Sequence, residues 1–261
     1  MVTGVGSPSV RLLRLRRSDI HVVSDSCTAG GHRVIQGILP ARVFGEELFV
    51  DLPSASLYAA EADALGAVSD GRRMEFASVR HCARRAMAGL GLPAAPVVPS
   101  QGGAPQWPAG VVGSMTHCSG YRAAALAHRS DLHSIGIDAE PHGPLPSGVL
   151  GKVALPSERA HLRELSGGEP RVHWDKVLFT AKESTYKAWF PLTGRPLGFK
   201  DAEITLDPER GTFDARFRKQ GPFVDGRELS GFSGCWTVGH GLVVSAITVS
   251  TIEGFLYVER N

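Results

Sequence analysis

The chain has 261 residues, 43% of them hydrophobic and 21% charged, with a formal net charge of +2. That composition can build a core, which excludes a disordered segment, and its near-neutral balance gives no case for bulk nucleic-acid binding. The length allows one large domain or two of ordinary size. Cys27, Cys82, Cys118 and Cys235 are scattered with no C-x-x-C pair. Free thiols in a reducing compartment fit this better than a disulfide scaffold or a zinc site. The arginines near the N-terminus are followed by no apolar run, so no secretory signal is expected. The longest apolar run, around Leu242 to Val249, is too short to span a bilayer. The expectation is a soluble cytoplasmic protein with no membrane or nucleic-acid partner.

Residues 71–90 read as a first amphipathic helix. Ser69 or Asp70 can cap its start, and Gly89 or Gly91 can end it. Phe76, Val79, Ala83, Ala86, Met87 and Leu90 form its apolar stripe, with Arg73, Arg80 and Arg84 along one flank. A Gly/Pro-rich loop follows over 91–110. Strand-like runs come next at 110–117, 123–127 and 134–137. Along 135–140, Ile135 and Ile137 point one way, while Gly136, Asp138 and Glu140 point the other. Two carboxylates then share a face beside a glycine that admits a close neighbour. A second helix has Trp174, Val177, Leu178, Ala181, Thr185 and Ala188 as its apolar stripe. Glu183 and Lys187 are i,i+4 neighbours on the opposite face. Later strand candidates lie at 203–206, 211–217 and 242–249.

A faint internal repeat pairs Leu52-Pro53-Ser54 with Leu155-Pro156-Ser157, Phe76 with Phe179 and Arg84 with Lys187, all at one offset (52 to 155, 76 to 179, 84 to 187). Each copy places a polar helical stretch before a longer amphipathic helix. Such a repeat predicts two similar α+β halves packed face to face, residues 1–130 and 131–261.

The chemistry sits in two short segments. Asp138, Glu140 and Glu183 offer oxygen ligands of the kind that a hard divalent ion such as Mg²⁺ takes, with water and substrate phosphate filling the shell. Lys182 and Lys187 beside such an ion suit phosphate oxygens. The combination points to metal-assisted phosphate transfer.

Ile135-Gly136-Ile137-Asp138-Ala139-Glu140 followed by Phe179-Thr180-Ala181-Lys182-Glu183-Ser184-Thr185-Tyr186-Lys187 resembles the two-part signature of the phosphopantetheinyl transferases. That pattern is roughly (I/V)-G-(I/V)-D-x-x, then (F/W)-(S/C/T)-x-K-E-(A/S)-x-x-K, and every specified position matches. The likeness is to the larger, pseudodimeric (Sfp-type) group, and within it to actinobacterial-type members.

The resemblance implies a monomer with a pseudo-twofold arrangement of the halves and an active site in the cleft between them. It implies transfer of 4′-phosphopantetheine from coenzyme A to a serine of an apo acyl or peptidyl carrier protein, releasing adenosine 3′,5′-bisphosphate. The carrier would belong to a fatty acid, polyketide or nonribosomal peptide synthase. Mg²⁺, or Mn²⁺ in its place, would be held by Asp138, Glu140 and Glu183. Glu183 and Lys187 would be catalytic, Glu183 as base directly or through water. Lys182 and Lys187 would contact the coenzyme, as would the Thr116-His117 pair.

Gly71-Arg72-Arg73-Met74-Glu75-Phe76-Ala77-Ser78-Val79-Arg80 resembles the stretch in which two arginines bind the 3′-phosphate and adenine end, here Arg72 and Arg80. One departure is that 97–108 carries no basic residue where relatives often place one. Two alternatives remain at this point. A Mg²⁺-dependent nucleotide phosphohydrolase explains the acids but not the lysines, and a non-catalytic coenzyme A-binding protein has only the missing loop cation in its favour.

Overall fold

The computed structural model describes residues 34–100 and 102–250. Cys27, the N-terminal arginines and Gln101 lie outside the described residues.

In the first part of the chain β1 (Phe44–Leu48) leads to a short helix α1 (Ala59–Leu65), a long helix α2 (Asp70–Gly89) and the hairpin of β2 (Val111–Cys118) and β3 (Tyr121–His128). These strands form an antiparallel sheet in the order β1-β3-β2. β4 (Leu132–Pro141) begins the second part. The helices α3 (Val149–Val153), α4 (Pro156–Gly168) and α5 (Trp174–Thr193) follow it. Then come β5 (Ala202–Asp207), β6 (Thr212–Phe217), the small β7 (Phe223–Val224) and β8 (Arg227–Glu228) pair, β9 (Gly231–Gly239) and β10 (Leu242–Ser250). The second sheet runs β4-β10-β9-β6-β5, all antiparallel. The fold is thus mixed, with helices on antiparallel sheets.

The expected first helix is α2, capped by Ser69, whose hydroxyl accepts from the Arg72 amide. β1 and β9 were not expected. β1 reads Phe-Gly-Glu-Glu-Leu, and its Glu47 is turned inward to accept from the Val34 and Ile35 amides and the Tyr121 hydroxyl. β9 carries three glycines. At Gly234 a Cβ would lie 2.4 Å from the Phe213 ring, so the sheet interior requires the residue that weakens the strand signal.

Three cores stack the layers. Ala83, Ala86 and Met87 of α2 pack on Ala124 and Leu126 of β3. The opposite face of β3, Ala123, Ala125 and Ala127, meets Ile135, Ile137 and Ala139 of β4 and Leu242, Val244 and Ala246 of β10. The far side of the second sheet, including Phe213, Val243 and Ile247, buries α5 through Val177, Leu178 and Ala181. The alternation read along 135–140 is therefore real. Ile135 and Ile137 face the first sheet, and Gly136 meets α5.

β2 and β4 lie side by side without a main-chain ladder. Instead, the Ile137 amide donates to Ser114 Oγ and the Ala139 amide to Thr116 Oγ1, both at 3.1 Å. Two hydroxyls at i,i+2 on β2 satisfy donors that would otherwise be orphaned at a buried edge.

Both long helices are tied down by a buried glutamate. Glu61 of α1 accepts from the Tyr58 and Val97 amides and from Arg84. Glu158 of α4 accepts from the Leu155 and Ile204 amides and from Lys182 at 2.7 Å. In this device Glu61 holds Arg84 and Glu158 holds Lys182, whereas the repeat offset pairs Arg84 with Lys187.

Gly136 marks where α5 comes closest. A Cβ there would lie 2.0 Å from the Ser184 carbonyl oxygen and 2.6 Å from the Ala188 nitrogen. Both are backbone atoms and cannot swing aside. Gly136→Ala is expected to lower stability by about 3 kcal/mol, the upper part of the usual overpacking range. Urea unfolding checks this, and an unchanged midpoint would mean that β4 and α5 separate freely.

Candidate active site

The site forms where β4 passes α5. Asp138 is 5% exposed. Its Oδ1 accepts from Thr116 Oγ1 at 3.2 Å and from Lys187 Nζ at 2.7 Å. Its Oδ2 is buried with no hydrogen-bond partner. A carboxylate oxygen held out of water and unpaired is costly, so this atom calls for a cation. Glu183, one turn before Lys187, is half-buried. Burial pushes its carboxyl up, the charge of Asp138 adds to that, Lys187 opposes it, and Glu140 adds again. The three expected acids thus share one neighbourhood.

They do not yet form a chelating set. No group of three or more His, Cys, Asp or Glu side chains among the described residues is arranged to hold a metal ion. Lysines hold two of these acids. Lys187 holds Asp138, and Lys176, with its side chain 10% exposed, holds Glu140 Oε2 at 3.3 Å. Lys176 was not anticipated. It lies two helical turns before Glu183, and that spacing puts it on the same face of α5. The orphaned Oδ2 and the hard oxygen donors fit a divalent cation once those lysines turn away.

Thr116 serves Asp138 and the β4 amide at once. His117, next on β2, points outward with a side chain 42% exposed. Its Nδ1 lies 2.9 Å from Glu75 Oε1 and its Nε2 3.4 Å from an Arg72 guanidinium nitrogen. Burial holds His117 below the ordinary histidine range. Glu75 opposes this, while Arg72, Lys187 and Arg122 reinforce it. Arg72 and Lys187 lie near the His117 ring and beside the acids, a basic surface suited to phosphate oxygens.

Arg80 and Lys182 are placed differently from the expectation of a coenzyme contact. Arg80 is 5% exposed. Its Nε donates to the Val97 carbonyl, an Nη donates to the Phe76 carbonyl, and the guanidinium lies 3.0 Å from the Phe76 ring centroid. Burial pushes it down to about 10; Glu61 opposes this, and Arg84 and Arg72 add to it. Lys182 is 3% exposed and donates to Glu158 and to the Phe199 and Ala202 carbonyls. Burial lowers Lys182 as well, with Glu158 opposing. In this arrangement both side chains are committed to holding the fold.

A pocket of about 200 Å³ opens beside Glu183, lined by Lys182, Tyr186, Leu197, Gly198, Phe199 and Ala202. A larger cavity of about 790 Å³ lies among β6, β9, β10 and residues 37–40, and none of the acids or lysines above lines it.

Comparison with known proteins agrees with this chemistry. The family described as 4′-phosphopantetheinyl transferase N-terminal domain matches residues 60–127, and the 4′-phosphopantetheinyl transferase superfamily matches residues 134–229. The 4′-phosphopantetheinyl transferase Svp of Streptomyces mobaraensis is 52% identical over 224 residues, covering 85% of this chain and 91% of the relative. The 4′-phosphopantetheinyl transferase PptT of Mycobacterium tuberculosis is 45% identical, covering 83% and 98%. The 4′-phosphopantetheinyl transferase Npt of Nocardia iowensis is 45% identical, covering 82% and 99%. These matches show that the chain belongs to the 4′-phosphopantetheinyl transferase superfamily.

Proposed function

We propose that this chain carries out the family's reaction, transfer of 4′-phosphopantetheine from coenzyme A to a serine of an apo acyl or peptidyl carrier protein, at the seam where β4 meets α5. The observation that carries this reading is the unpartnered Asp138 Oδ2 beside Lys187. Asp138 and Glu183, with Glu140 released from Lys176, would hold a Mg²⁺ ion, which supplies charge neutralisation and polarisation at the pyrophosphate.

The remaining work falls to the chain's own groups. Lys187, His117 and Arg72 bind phosphate oxygens, and Lys187, beside Asp138, stabilises charge that grows during transfer. Glu183, its carboxyl pushed up by burial, takes the proton of the serine hydroxyl directly or through a water. Thr116 holds Asp138 in place. Lys182 and Arg80 fix α5 and the Val97 segment under the site, and the exposed Arg72 is left to meet the 3′-phosphate and adenine end. The pocket beside Glu183, lined in part by Tyr186, Leu197 and Phe199, would take the uncharged pantetheine arm.

The two sheets with their long helices represent two halves, residues 1–130 and 131–261, in a pseudo-twofold arrangement with the site in the cleft between them. The shared glutamate device supports that division. The protein acts as a cytoplasmic monomer. No helix of the described residues is long and apolar enough to cross a membrane.

Intact-mass analysis of an apo carrier tests the reading. The carrier is expected to gain one phosphopantetheine arm only when protein, coenzyme A and divalent metal are all present. Hydrolysis of the coenzyme with an unmodified carrier would establish the phosphohydrolase alternative. Binding with no chemistry would establish the non-catalytic one.

A further inference from the structure

We propose that Glu75 is a positioning residue that turns His117 so that its Nε2, beside the Arg72 guanidinium, is presented to a phosphate of the coenzyme. This rests on the coenzyme reading above. Glu75 stands one turn after Arg72 on α2, and its carboxylate spans two partners. Oε1 meets His117 Nδ1 at 2.9 Å, and Oε2 meets Arg72 at 2.5 Å. A carboxylate on Nδ1 keeps the hydrogen there and leaves Nε2 as the outward atom.

The arrangement lacks a structural reason. Exposed i,i+3 ion pairs contribute little to stability. Arg122, whose Nη lies 3.8 Å from Glu75, already has a two-point pairing with Asp51 at 2.9 Å. Nor do His117 and Arg72 explain each other. With Nε2 3.4 Å from a guanidinium donor, the imidazole can accept from Arg72 only while neutral. Once protonated, both groups are donors and need an anion between them. Four charged groups face the ring. Glu75 and Arg72 come from α2, Arg122 from β3 and Lys187 from α5. Glu75 is the one anion among them, and it favours a proton on His117 against burial and three cations.

The test combines two measurements on wild type, Glu75→Gln, His117→Gln and the double variant. The first follows the His117 ring by NMR titration of the free protein, assigned by the signals lost in His117→Gln. The second measures binding of adenosine 3′,5′-bisphosphate between pH 6 and 8. Relative to His117→Gln at the same pH, which cancels the ligand's own phosphate titration, wild-type binding is expected to weaken as pH rises and the imidazole loses its proton. Glu75→Gln keeps the shape but removes the charge. It is expected to lower the His117 titration midpoint, to weaken binding at pH 6 by about tenfold, as for one charge-assisted contact, and to flatten the pH dependence. In the His117→Gln background the same change is expected to have little further effect. An unmoved His117 midpoint, or an equal loss of binding with and without His117, overturns the proposal while leaving the coenzyme site intact. Failure of wild type to bind the bisphosphate at any pH removes the coenzyme reading, and this proposal with it.

Discussion

Asp138→Ala and Glu183→Ala are each expected to reduce single-turnover modification of an apo carrier by roughly a hundredfold or more, the scale seen when one preorganised electrostatic partner is removed from a transition state. The fold is expected to survive. Asp138 is buried, but its replacement removes an orphaned oxygen along with the carboxylate, and Lys187, with its side chain 27% exposed, can turn to water. Asp138→Asn refines the result. It keeps the shape and the bond from Thr116 while removing the charge, so it is expected to be nearly as inactive as the alanine variant. Rapid-quench mass measurements, with circular dichroism on the same samples, check all three. Near-normal turnover in any of them removes the residue from the site.

The second large effect is on stability. Glu158→Ala is expected to cost about 3–5 kcal/mol, because it strands the Lys182 ammonium and two backbone amides in the interior. Lys182→Met is expected to cost less, since Glu158 keeps its two amide donors. It nonetheless separates the two roles given to this lysine. A residue that holds α5 lowers the denaturant midpoint when lost. A residue that only touches coenzyme leaves the midpoint unchanged and raises KM. Denaturant unfolding and steady-state kinetics on the one variant distinguish them.

Much of this site was legible in the sequence because strand β4 alternates cleanly. A period of two along Ile135 to Glu140 can mean only that the isoleucines and the acids part company. α5 was harder to read. It is packed against β4 on one flank and against Phe199, Ala202 and Glu158 on another, so helical periodicity could not say which polar residue faces which neighbour. Lys182 and Lys187 look alike in a motif, yet one is sealed inside and the other stands at the site. Lys176 carries no motif signal, and only its two-turn spacing from Glu183 gives it away. β9 was hidden by the glycines its neighbours require. The repeat offset pairs Arg84 with Lys187, while the buried glutamates Glu61 and Glu158 bind Arg84 and Lys182, a likeness of contacts that recurring letters do not carry.

Among the described residues strand β4 has one ladder partner, β10, and on its other side its amides meet the hydroxyls of Ser114 and Thr116. β10 is also the last described element of the chain. Closing a loop that long carries an entropic cost before any contact rewards it. The order of synthesis sharpens the point. When a ribosome has joined residue 241, every acid and every lysine of the site already exists, and the strand that gives Asp138 its backbone pairing has yet to be made.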